Sequence, residues 1–174
     1  MMPILFGKRN AKKKKNIEEK SDQVVKTYHI FWDGLSLDTM LYGSRIHYMP
    51  EHQVYYQNDI LPSGTILKTW YSSVNYQVKR HEAQLPLLEE GRRYRIRGIM
   101  ESNPENTLLL RVNFLSRAGK NMENFFIEGE KEFICPNKAY SYTIELINGG
   151  MQSFLFHEIE ISKLMTDESE IGKH

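Results

Sequence analysis

At 174 residues and 40% hydrophobic content, the chain is long enough for one sizeable core and hardly for two. Its formal net charge of +1 conceals a split, because seven of the 23 Lys and Arg lie between Lys8 and Lys20, beside only Glu18, Glu19 and Asp22. Setting aside those seven and three leaves 16 basic and 19 acidic residues from Gln23 onward; this mildly acidic body lacks a nucleic-acid binder's basic footprint, so no nucleic-acid partner is predicted.

Residues 1–22, with "KRNAKKKK", read as a basic disordered tail, a composition that also suits an anionic membrane surface or an acidic partner. The apolar "MMPILF" precedes the charges, which reverses the order of a signal peptide, and no run is long enough to span a bilayer. Cys135 is the only cysteine, so no disulfide forms within the chain. Together these features predict a cytoplasmic protein, soluble or peripheral at the inner face of the plasma membrane.

The first predicted strand is "VVKTYHIFW", Val24 to Trp32, followed by the polar turn region "DGLSLDTMLYG". "SRIHYM" and "HQVYYQN" follow on either side of Pro50, and "LPSG" turns the chain into "TILKTWYSSVNYQV". Pro86 and Gly91 break it again within "LPLLEEGRR". Then come "RYRIRGIMES", "NTLLLRVNFLS", "ENFFIEGEKEFI" and a last pair, "AYSYTIELINGGMQSFLFHEIEI", read as a hairpin turning at Asn148-Gly149-Gly150. Many short strands with regular punctuation predict an all-β antiparallel sandwich or barrel over residues 23–162, with a short C-terminal tail at 163–174.

Alternation assigns the faces. Leu108, Leu110, Val112 and Phe114 share one side of their strand; Tyr140, Tyr142, Ile144 and Leu146 share one side of another. Tyr94 and Ile96 oppose Arg93, Arg95 and Arg97. Each strand therefore offers an apolar face to a core and a mixed face to the outside.

Motifs for chemistry are missing. The histidines at 29, 47, 52, 81, 157 and 174 are scattered, with no HxxxH, so no metal site is expected; His157, beside Leu155 and Ile159, reads as a structural histidine. "GLSLD" lacks the second glycine of a nucleophile elbow, Cys135 has no histidine beside it, and no phosphate loop occurs. The reading is a protein without cofactor and without catalysis.

What remains is surface. Trp70 and Tyr71 are adjacent in a strand and point to opposite faces, so one is core and the other exposed or at an edge. An exposed ring beside Arg111, Asn113 and Glu145 would resemble a sugar-reading surface, against the plainer reading of both rings as packing. Arg93, Arg95 and Arg97 have Glu145, Glu158 and Glu160 as candidate cross-strand partners, and their density also suits a protein interface.

At this point the residues resemble a known family. "LYGSRIHY", "NDILPSGTILKTWYSSVNYQ", "LPLLEEGRRYRI", "LLLRVNFLSRAGK" and "YSYTIELINGGMQSFLFHEIEI" are similar to the third accessory secretory protein of the bacterial accessory Sec system, over roughly Thr27 to Ile161. One departure is Ser116, where the family pattern carries an acid before its glycine turn. The resemblance implies an antiparallel jelly-roll β-sandwich like a carbohydrate-binding module. It implies a non-catalytic subunit in complex with the first and second accessory secretory proteins, helping to deliver a serine-rich-repeat glycoprotein adhesin to an accessory motor ATPase. Two functional readings follow. One is a scaffold that joins the two partner proteins, with homodimerisation left open. The other is a module reading glycans on the adhesin. The partner- or glycan-binding candidates are Trp70, Tyr71, Arg95, Arg97, Arg111, Asn113 and Glu145.

Overall fold

The structure, a computed structural model, describes residues 23–32, 38–73 and 83–165. The basic tail, the first five residues of "DGLSLDTMLYG", most of "SSVNYQV" and all but the start of the C-terminal tail lie outside the described residues. Ten strands run in chain order: β1 (Val24–Ile30), β2 (Arg45–Tyr48), β3 (Val54–Gln57), β4 (Ile66–Tyr71), β5 (Arg93–Asn103), β6 (Leu108–Leu115), β7 (Asn121–Ile127), β8 (Glu130–Ile134), β9 (Ser141–Asn148) and β10 (Ser153–Leu164). No helix interrupts them among the described residues, and the last strand runs two residues past the expected boundary at 162.

Two antiparallel sheets face each other, as the alternation requires. One has the order β4-β9-β6-β7; the other has β2-β3-β10-β5-β8, with β1 also on β10. β10 is the spine of the larger sheet. Its first residues, Ser153–Phe156, pair with β3, its last ones with β1, and β5 follows almost its whole length on the opposite flank. A bulge between Phe156 and Glu158 resets the alternation, so Phe154 and Phe156 face the core before it and Ile159 and Ile161 after it. His157 is the extra residue. It leaves the strand's apolar face and lies 3.4 Å from Glu101.

Between the sheets, aromatic rings fill the core in two knots. Trp32 meets Trp70 edge-on at 5.9 Å, Trp70 stacks on Phe156 at 5.4 Å, and Tyr56 stacks on Phe154 at 4.9 Å. At the other end, Phe114 lies among Phe125, Phe133 and Tyr142. Lys68 is fully buried, with its ammonium 5.1 Å above the Trp32 ring and 5.4 Å above Trp70.

Three readings of the sequence change. "ENFFIEGEKEFI" is two strands rather than one: Glu128 and Gly129, the latter at φ 76°, carry the chain from the smaller sheet to the larger. The pair "AYSYTIELINGGMQSFLFHEIEI" is a corner between sheets and not a hairpin, since β9 pairs with β4 and β6 while β10 pairs with β1, β3 and β5. The reason is Asn148. Its buried side chain donates to the carbonyls of Leu61 and Pro62, both at 3.1 Å, and accepts from the N–H groups of Gly150 and Met151, both at 2.8 Å. Finally, Tyr140 precedes β9 and lies 63% exposed, with Arg117 over its ring, so it leaves the core face to Tyr142, Ile144 and Leu146.

Candidate functional site

Catalytic geometry is not what the candidates assemble. They fall on two outer faces. On the smaller sheet, register places Thr69, Glu145, Arg111 and Phe126 in one row across β4, β9, β6 and β7, and Tyr71, Thr143, Asn113 and Asn124 in the next. Arg111 donates from Nε to Glu145 Oε2 at 2.7 Å, and Asn113 Nδ2 donates to the same oxygen at 2.9 Å. Asn113 and Thr143 are nearly buried within this network. The Arg111 guanidinium also lies 5.8 Å from the Phe126 ring, half exposed beside it.

Trp70 is corrected. It is fully buried, and its Nε1 donates to the Phe31 carbonyl at 3.1 Å, so its ring has no outer face to offer a ligand. Tyr71 takes the outward direction, as the opposition of neighbours requires. Its hydroxyl donates to Asp38 at 3.1 Å, and burial, followed by the Asp38 charge, pushes its pKa up to about 12. Tyr71, Arg111, Asn113 and Glu145 therefore share one face, with their polar atoms committed to neighbours.

The second face belongs to the larger sheet. Here His29, Glu160, Arg97 and Glu130 succeed one another across β1, β10, β5 and β8, a row in which nitrogen-bearing and acidic side chains alternate. Arg97 grips Glu160 at 2.5 Å, while Arg93 and Arg95 both reach Glu132 at 2.6 Å. The Arg95 hydrogen bonds are the main reason the Glu132 carboxyl titrates below its usual range. Of the expected acidic partners, Glu160 receives Arg97, but Glu145 belongs to Arg111 and Glu158 to His29. Glu132 is the partner that neighbouring sequence does not reveal, because nothing local in "ENFFIEGEKEFI" marks β8 as a separate strand beside β5. His29, Glu158 and Glu160 bring three ligand-type atoms within 4.8 Å, a grouping the scattered histidines concealed; Arg97 already engages Glu160 there.

Apolar residues at two rims escaped the sequence altogether. Leu41 and Tyr42, just before β2, and Ile60, just after β3, are well exposed at one edge of the larger sheet. Ile60 lies against Gly43, where an added Cβ would meet it at 2.7 Å. Ile134 ends β8 at the opposite edge and is likewise exposed, as are Leu87 and Tyr140, which line one small cavity with Cys135. These residues lie in turns or at strand ends, where period-two alternation gives no signal. Cys135 itself is buried and its thiol is raised to about 11 by desolvation, which keeps it protonated and unreactive at neutral pH.

The fold and its surfaces define a class, an antiparallel β-sandwich whose outer faces pair internally and whose rims carry exposed apolar side chains. The family model described as accessory Sec secretory system ASP3 matches residues 39–163. The accessory Sec system protein ASP3 of Streptococcus gordonii is 36% identical over 157 residues, 84% of this chain and 99% of that protein. The chain belongs to the ASP3 family of the accessory Sec secretory system. Its fold matches a chain in the crystal structure of accessory secretory proteins 1, 2 and 3 of Streptococcus pneumoniae, with TM-score 0.73 and 35% identity, over 78% of this chain and 95% of that one. It also matches the glycosylation-associated Gap123 complex of Streptococcus agalactiae, with TM-score 0.74 and 31% identity over 86% of this chain, which spans about half (48%) of the matched chain.

Proposed function

We propose that this protein is a non-catalytic scaffold subunit that joins the first and second accessory secretory proteins and so assists glycosylation-coupled export of a serine-rich-repeat adhesin. The observation that carries this reading is the pair of apolar rims at opposite edges of the larger sheet, Leu41, Tyr42 and Ile60 at one and Ile134 at the other. A joining subunit needs two separate patches, and apolar side chains gathered at a rim are what a partner would cover. The relatives solved within complexes of accessory secretory proteins support the same reading. Such a subunit would work in the cytoplasm, at the inner membrane face where the adhesin meets its motor ATPase.

Glycan reading by Tyr71, Arg111, Asn113 and Glu145 has less support, since a sugar hydroxyl would have to displace hydrogen bonds those groups already make.

Co-expression with both partners and affinity purification on this chain tests the scaffold. Leu41→Asp with Ile60→Asp should release one partner and keep the other, and Leu87→Asp with Ile134→Asp should do the converse. Recovery of both partners by both variants, or of neither partner by the unmodified chain, would sink the proposal.

A further inference from the structure

β8 pairs with β5 only from Arg93 to Arg97, and β7 pairs with β6 only from Leu110 onward. The corner at Glu128 and Gly129 thus leaves β5 beyond Gly98, and the start of β6, without a strand on their outer flank among the described residues. Between these flanks opens a cavity of about 420 Å³. Met100, Leu108, Leu110 and Ile127 give it apolar walls, and Glu101 and Glu105 stand at its mouth.

The backbone of that flank has a direction. Gly98 N–H donates to the Gly129 carbonyl at 3.3 Å, toward the β8 side. Alternation then turns the N–H and C=O groups of Met100 and Ser102 to the same side, where no strand follows among the described residues. A row of unpaired backbone groups is a template for another strand.

We propose that the flank of β5 from Gly98 to Asn103 accepts an extended segment of another protein as an added strand, one that alternates apolar with basic residues. Its inward side chains would fill the cavity, and its outward ones would lie beside Glu101, whose side chain is 77% exposed. Charge decides against a second copy of this chain in that place. Two β5 flanks paired around this stretch would set Glu101 near its own counterpart, and like charges across strands repel. This site is separate from the two rims, so its failure leaves the scaffold reading untouched.

The probe is a fluorescein-labelled heptapeptide, Lys-Val-Lys-Leu-Lys-Val-Lys, titrated into the full chain and followed by fluorescence anisotropy. Two further peptides carry N-methyl groups, one on every Val and Leu, the other on the inner Lys residues. Only one set of alternate N–H groups can face β5, so one methylated peptide should lose binding by at least about tenfold while the other retains it. Glu101→Lys with Glu105→Lys, both at exposed positions, should weaken the unmethylated peptide by about tenfold or more. Amide exchange at Met100 and Ser102 should slow when the peptide is bound. Equal affinity of all three peptides would mean non-specific charge attraction and would overturn the proposal. So would no binding, unchanged exchange at those two amides, or protection of them by self-association of the chain as its concentration rises.

Discussion

Four hydrogen bonds converge on the Asn148 side chain, and they hold a corner where two sheets meet. Asn148→Ala would remove all four bonds and leave the buried Met151 N–H without its acceptor, while the Pro62 carbonyl keeps its bonds from Thr65; the expected loss is about 2 kcal/mol, measured by urea unfolding. Gly149→Ala should also destabilise, because its Cβ would come within 3.1 Å of the Thr107 carbonyl oxygen. The turn between β2 and β3 works in the opposite sense. Glu51 and His52 both hold left-handed backbone, at φ 60° and 62°, in a place where Asn and Gly fit better. Glu51→Asn should therefore raise stability by about 0.5–1 kcal/mol in the same assay. At Ser116 the hydroxyl accepts from the Lys120 N–H at 3.2 Å and so braces the turn before Lys120. Trp70 and Tyr71 mark what residue-level reading can do: opposition of the two rings was legible from adjacency, but which one faced the core was not. The answer depends on which side of β4 the larger sheet covers.

Within elements, alternation carried far. The inward faces of β5, β6 and β9 follow period two, although the outer side of the smaller sheet also buries Asn113, Thr143 and Ile147. Membership of a sheet was not legible. β7 and β8 read as one run, and β9 and β10 read as a hairpin, since a corner and a hairpin use the same turn residues and differ only in long-range pairing. Of the candidate surfaces, the residues on regular strands, Arg95, Arg97, Arg111 and Glu145, were legible in the alternation. Leu41, Ile60 and Leu87, which lie outside the strands, were hidden. The charged row on the larger sheet is an element-scale feature with an element-scale test. Coupling between Arg95 and Glu132 in a double-mutant cycle should be about 0.5 kcal/mol and should shrink in high salt, since both groups are partly exposed. Glu132 has a folded-state pKa below its unfolded one, so its contribution is present above the unfolded value and lost as pH falls through the folded one. Glu132→Gln should accordingly flatten the acid side of the stability profile.

Across the whole molecule, the acidic protons of the core titrate late. Burial raises Tyr56, Tyr94 and Tyr142 above the ordinary tyrosine value, takes Tyr71 to about 12, and takes Cys135 to about 11. An unfolded chain releases tyrosine protons near about pH 10, so above that pH the folded state binds more protons than the unfolded one. Stability should therefore fall as pH rises from about 10 toward 12. Denaturation midpoints measured across that range should show the fall, and Tyr71→Phe should make it shallower.

The position of β10 reaches into how the protein is made. The larger sheet is built around a strand that comes last in sequence among the ten, and β1, β3 and β5 all hydrogen-bond to it. On a ribosome, those three strands emerge well before their shared partner. They must wait with unpaired backbone and exposed apolar faces until residues 153–164 arrive. Closure in this order is slow, because its pairings are long-range, from Ser153 with Asn103 to Leu164 with Val24. The nascent protein thus passes through a vulnerable interval in which it is a natural client for chaperones, or for an early partner that shelters the half-built sheet.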